Sequence, residues 1–120
     1  MATVSTRADG DYGRRCQAGV LHVSLEWNNG TPTQTEVVPA VAGKQVLVLG
    51  VIVGGSAVSV ASSVKWKSGT TAISGTINHY DFGYPTAFGR AKGILITEVG
   101  EALQADLDGN GGGLVIYTYV

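Results

Sequence analysis

Leu21-His22-Val23-Ser24-Leu25-Glu26-Trp27 alternates apolar and polar side chains without a break. Side chains along a strand point to opposite faces with a period of two, so this pattern predicts a β-strand with one dry and one wet face. The same kind of reading extends in both directions along the chain. Asn28 to Thr33 (NNGTPT) carries turn chemistry and is expected to end that strand, with a short strand following at Thr35 to Val38 before Pro39. Gln45 to Val53 is apolar on both faces, as expected of a central strand covered on both sides. Val58 to Val60 and Val64 to Lys67 alternate again, with Ser62-Ser63 shifting the phase as a bulge would. Further strands are expected at Ala72 to Ile77, Ile94 to Thr97, Ala102 to Leu107 and Leu114 to Val120.

No stretch places apolar residues at i, i+3, i+4 and i+7 over a helix length. Eight or nine short strands separated by glycine turns imply an all-β protein, an antiparallel β-sandwich. A jelly-roll arrangement suits that count, although strand order is not legible in one sequence. Residues 1–17 are polar and without period, and read as an extended N-terminal arm ahead of a single sandwich domain at 18–120.

The bulk numbers narrow the function. A chain of 120 residues with 44% hydrophobic residues and a mean hydropathy of +0.19 can build one packed core. Charged residues make up 14%, against roughly 25% in ordinary soluble domains, which suits either a surface partly covered by sister subunits or a larger assembly, or a small β protein with a polar Ser/Thr surface. A net charge of −1 with scattered basic residues gives no nucleic-acid footprint. The longest apolar run, Val46 to Val53, is interrupted by Gly50 and is too short to span a bilayer. The first residues lack the apolar core of a secretion signal, so synthesis in a cytoplasm is expected.

Catalytic constellations are missing from the pattern. His22 falls on the wet face of its strand, and His79 beside Asp81 lacks a nucleophile motif. The single cysteine, Cys16, stands beside Arg14 and Arg15, a setting that lowers a thiol pKa, but it lies in the arm. Gly43-Lys44 precedes a strand rather than a helix, so no phosphate loop forms. The reading is a protein that is not an enzyme and needs no cofactor.

Asp106 to Gly113 (DLDGNGGG) matches the first ligand positions of an EF-hand loop, with Asp106, Asp108 and Asn110 at positions 1, 3 and 5. Position 12 is Tyr117 rather than glutamate, and the flanks read as strands. Asp-Gly and Asn-Gly favour positive φ, so the stretch is expected to be a hairpin turn, leaving Asp106 and Asp108 as at most a weak calcium pair.

Contact residues are more conspicuous. His79, Tyr80, Phe82, Tyr84, Phe88 and Arg90 crowd a segment that otherwise reads as a loop, and such residues dominate interface hot spots. That loop is open to three readings: an interface, a cap on the protein's own core, or a platform for a sugar. The last strand carries Tyr117 and Tyr119 and is apolar or aromatic on both faces, so one face suits the core and the other a sister subunit. Three-fold packing of sandwiches buries such strands around an axis, which predicts a homotrimer.

The order of motifs also resembles a family. Val38-Pro39-Ala40-Val41-Ala42-Gly43-Lys44 leads into the apolar run, followed by Val64 to Gly69, Thr71 to Gly75 and Gly83-Tyr84-Pro85. Val99-Gly100-Glu101-Ala102-Leu103-Gln104-Ala105 and the closing Leu114 to Val120 complete it. Over residues 33–120 this resembles the small all-β virion proteins of tailed bacteriophages, in particular head decoration (cement) proteins. The resemblance implies a trimer on the capsid surface of the virion, with the phage major capsid protein as partner, stabilising the shell. On that reading the arm with Arg14 and Arg15 orders on binding. The alternative is a head-fibre or tail-fibre module that binds a receptor or glycan through Tyr80, Phe82, Tyr84 and Phe88.

Overall fold

A computed structural model describes residues 4–8, 19–55, 62–79, 86–89 and 93–120, with backbone alone for 4–8, 29–32, 79 and 86–89. The described residues are all-β and antiparallel, without helix, in eight strands: β1 (Val4–Ala8), β2 (Leu21–Val38), β3 (Val46–Gly55), β4 (Ser62–Ser68), β5 (Thr71–His79), β6 (Thr86–Gly89), β7 (Leu95–Ile96) and β8 (Leu103–Tyr119). The strand β1 falls within the segment read as an arm and pairs with β2 from Val4↔Trp27 to Ala8↔Val23.

The last strand, β8, organises the rest. One of its edges pairs with β2 along nearly its whole length, from Leu21↔Tyr117 to Val38↔Leu103. Its other edge is shared: Leu103 to Asp108 pair with β4, and Gly111 to Tyr119 pair with β3. The sheet therefore forks into two halves. One half runs β1-β2-β8-β3 and ends on β6 and β7, and the other carries β4 and β5 on the first part of β8. The halves fold over one another, because Val51 of β3 and Trp66 of β4 line a common cavity although their strands do not pair. Strands that pass from one layer to the next through a bend or bulge are the usual way to make such a corner.

Two expected turns are corrected by this arrangement. Asp106 to Gly113 is not a hairpin but the middle of β8. Leu103, Ala105, Leu107, Gly109, Gly111, Val115 and Tyr117 are all buried, so the inward phase runs through the glycines unchanged. Nor does Asn28 to Thr33 end a strand: β2 continues, with its register shifting from Asn29↔Gly109 to Thr33↔Leu107. Residues 30–32 of β2 thus oppose Asp108 alone, a bulge that lets the outer strand turn the corner.

The glycines are explained by what lies against them. A β-carbon on Gly111 would come within 2.2 Å of the Trp27 ring, and one on Gly113 within 1.8 Å of the Ile52 carbonyl oxygen. Gly109, at φ 71°, adopts the left-handed conformation that glycine takes without steric cost. The Trp27 indole, 1% exposed, donates through Nε1 to the Asp108 carbonyl at 3.0 Å. One side chain therefore fills the bend and satisfies its own polar atom.

The remaining expectations divide. Leu21 to Trp27 has the wet and dry faces expected, with Val23, Leu25 and Trp27 buried while Ser24 and Glu26 are exposed. Ser62 and Ser63 pair in regular register with His79 and Asn78, and β4 keeps its phase from Ser62 to Ser68, while the strand expected at Val58 to Val60 lies outside the described residues. The irregularity lies instead at Trp66, where the register of β5 slips between Lys65↔Thr76 and Lys67↔Ala72. There the Ser74 hydroxyl accepts from the Trp66 backbone N–H at 2.9 Å, replacing the ladder bond lost to the bulge. The strand β3 is central in pairing, but only Val46, Val48, Val51 and Val53 face the core, and Ile52 is 41% exposed.

Because the bend has no room for a side chain, Gly111→Ala is expected to cost about 3 kcal/mol in urea unfolding. By contrast, a β-carbon on Gly75 meets nothing within 4 Å. Gly75→Ala should therefore stay within about 0.5 kcal/mol of the parent chain.

Candidate functional site

The two halves of the sheet turn very different outer faces to their surroundings. On the half built from β2, β8 and β4, Gln34, Glu36, Gln104, Asp106, Lys65 and Lys67 occupy outward positions across three strands. Lys67 pairs with Asp106 at 3.0 Å and donates to Gln34 Oε1 at 3.1 Å, while Gln34 Nε2 donates to Gln104 Oε1 at 2.7 Å. This is a solvated face laced with cross-strand polar contacts.

The outward positions of β3, β7 and the second half of β8 are mostly apolar, Thr118 aside, and are bordered on β2 by His22, Ser24 and Glu26, which pair with Ile116, Leu114 and Gly112. Ile52 lies opposite Leu114, Leu47 lies opposite Ile96, and Ile116 stands over Gly50. Ile52 and Ile96 are 41% and 46% exposed, and Leu47, Leu114 and Ile116 are half-buried. The alternation of β8 causes this, because every second residue after Gly112 is Leu, Ile or Thr where the first half of the strand has Gln and Asp. Contiguous apolar patches of this kind mark interaction sites in soluble proteins.

Tyr117 and Tyr119 face the other way. Tyr117 is 4% exposed and part of the core, and it meets the Tyr119 ring edge-to-face, with centroids 5.8 Å apart. The Tyr119 hydroxyl donates to the Pro39 carbonyl at 2.8 Å. The outward residues of the closing strand are thus Leu114, Ile116 and Thr118, which were legible from its alternation once its inner face was known. Burial pushes both tyrosine hydroxyls above their usual pKa, aided by Tyr119 in the case of Tyr117 and by Glu36 in the case of Tyr119.

Arg14, Arg15, Cys16, Tyr80, Phe82, Tyr84 and Arg90 lie outside the described residues. His79 and Phe88 end up on different halves of the sheet. His79 pairs with Ser62 at the end of β5, and Phe88 pairs with Val51 in β6. Of the acidic residues read as a weak calcium pair, Asp106 is engaged by Lys67, and Asp108 accepts the Gly109 N–H at 2.8 Å. Among the described residues, no group of three or more His, Cys, Asp and Glu comes together.

One local arrangement was missed by the sequence reading. Ser68 donates to Glu101 at 2.5 Å and accepts from the Glu98 N–H at 2.9 Å, which ties the β4–β5 turn to the segment entering β8. A β-carbon on Gly69 would fall 3.1 Å from the Glu101 carboxyl. The glutamate of Val99-Gly100-Glu101-Ala102-Leu103 is therefore a turn clamp, and its partners lie too far away in sequence to be inferred from it.

Compared with known protein families, characterised proteins and solved structures, the chain shows no match.

The raised tyrosine values set a pH dependence. In both the folded and the unfolded chain the hydroxyls are protonated well below pH 10, so their contribution is constant there. Above that value the unfolded chain ionises first, and stability falls as pH rises through the folded values. Urea unfolding at about pH 9 and about pH 11 should show this loss, and Tyr117→Phe should reduce it.

Proposed function

We propose that the protein is a non-catalytic structural component of a viral particle, a capsid decoration protein that self-associates through the apolar face of β3, β7 and β8. The observation that carries this reading is the contrast between the two outer faces: Ile52, Leu114 and Ile116 on one, the Lys67–Asp106 ladder on the other. On the second face charge is confined to its β2 border at Glu26, and leaving Ile52, Leu114, Ile116 and Ile96 together is costly unless something covers them. Closed symmetry is the common solution for identical subunits, and a three-fold cluster would gather the β8 faces about its axis. The resemblance to phage head proteins over residues 33–120 supplies the setting, with the major capsid protein as the outer partner. Binding the assembled shell in preference to free subunits would stabilise it by mass action.

The fibre reading rests on Tyr80, Phe82, Tyr84 and Phe88 and has no support from the outer-face contrast. Sedimentation equilibrium at micromolar concentration tests the self-association directly. The parent chain should sediment as a trimer, and Ile52→Lys combined with Ile116→Lys should weaken assembly at least about a hundredfold while leaving each chain folded. A parent chain that sediments as a monomer contradicts the proposal. Capsid partnership is tested by copurification, with occupancy expected on heads and not on tails.

A further inference from the structure

The dipeptide Asn-Gly occurs twice in the chain, at Asn29-Gly30 and at Asn110-Gly111. Both copies have turn chemistry, and both are held instead inside long strands, β2 and β8. Asparagine is also a chemically labile residue, and glycine after it makes it more so. The backbone nitrogen of the glycine attacks the carbon of the asparagine carboxamide, ammonia leaves, and a five-membered succinimide closes. Water then opens that ring to aspartate or isoaspartate, so one amide nitrogen is lost and one negative charge is gained. Glycine favours the step because no β-carbon hinders the peptide unit as its nitrogen gives up the proton and swings toward the side chain. A peptide fixed in a sheet ladder can do neither.

The fold treats the two copies differently. Gly111 is paired on both edges, with Trp27 of β2 and Gly55 of β3, and Asn110 before it is paired with Asn28. A β-carbon on Gly111 would fall 2.2 Å from the Trp27 ring, so the Asn110-Gly111 peptide is walled in as well as paired. Asn29, by contrast, is the last residue of the regular ladder before the bulge. It pairs with Gly109, and the ladder resumes only at Thr33↔Leu107. Gly30 is the first of the three residues set against Asp108 alone, and no residue of β8 is its register partner. The pairing of β1 with β2 stops short of it as well, at Val4↔Trp27. At a bulge the surplus residue is left out of the ladder, so its peptide can turn while the pairs on either side persist.

We infer that Asn29 is a site of spontaneous deamidation in the folded protein, and that Asn110, with the same neighbour, is protected. The local sequence favours the reaction at both places, and the backbone pairing separates them. At Asn110 ring closure has to wait until β8 leaves β2 and β3, which for a strand at the centre of the sheet means global opening. At Asn29 it needs only the local freedom of the bulge. The product carries its new carboxyl group on the residue that pairs with Gly109, one position from Asp108, at the corner where β2 passes from one half of the sheet to the other.

The test uses the full chain and needs no variant. Native and urea-unfolded samples are aged side by side in mildly alkaline buffer, digested with trypsin and read by tandem mass spectrometry. Cleavage after lysine and arginine separates the two sites, one in residues 16–44 and the other in residues 93–120. The rate in urea divided by the native rate gives the protection at each site, free of any difference in local sequence. Protection at Asn110 should exceed that at Asn29 by at least about tenfold, and fragmentation of 16–44 should place the change on Asn29. Equal protection at the two sites would overturn the inference, as would a native Asn29 that stays intact while its unfolded counterpart converts. A native change located on Asn28 instead of Asn29 would overturn it too.

Discussion

The contact between the Trp27 ring and Gly111 holds the architecture together. The ring occupies the place of a β-carbon on Gly111, and its N–H is satisfied by the Asp108 carbonyl. With that indole in place, β2 and β8 can pass through the bend side by side and still keep their inward residues inward. Because β8 keeps its phase, Leu103, Ala105 and Leu107 face the core in one half of the sheet, while Val115 and Tyr117 face it in the other. The strands β1, β3 and β4 then add to edges that this pair creates, β5 adds to β4, and β6 and β7 add to β3. A protein without helices or disulfides among its described residues depends on such a crossing, since one bent pair runs through both parts of a core that β3 and β4 complete.

The outer faces follow from the same strand. Every inward residue of β8 fixes an outward neighbour, and the outward set changes from Gln104 and Asp106 to Leu114 and Ile116 on either side of the glycines. The bend thus separates a solvated face from an apolar one within a single strand. This gives the low charge content of the chain a location: polar contacts are concentrated on the β4 side, and the β3 side carries the exposed apolar residues Ile52 and Ile96.

Much of this was legible in the sequence, and the failures have a common cause. The alternation predicts the burial of Val23, Leu25 and Trp27 and the exposure of Ser24 and Glu26 because the signal is local, one side chain at a time, whereas His22, expected on the wet face, is as half-buried as Leu21. The same holds for the all-β class and the absence of amphipathic helices. Asp108-Gly109 and Asn110-Gly111 were misread because their local preference is for a turn, whereas the deciding neighbours are Trp27 and Ile52, far away in the chain. Asn28 to Thr33 failed for the matching reason, since it is the bulged partner across the same bend. The apolar face was half legible: both faces of Leu114 to Val120 look dry, but only the register shows that Tyr117 and Tyr119 turn inward and that Ile116 and Leu114 do not.

Native-state hydrogen exchange at Gly111, Gly112 and Gly113 tests the central claim most directly. These residues have strand partners on both sides, Leu25 to Trp27 on β2 and Val53 to Gly55 on β3. Their amides are expected to be protected as strongly as those of Val115 and Tyr117, with exchange requiring global unfolding. Fast exchange confined to the glycines, between protected flanks, would mean a solvated turn there and would contradict the continuous strand on which the fold and both surfaces depend.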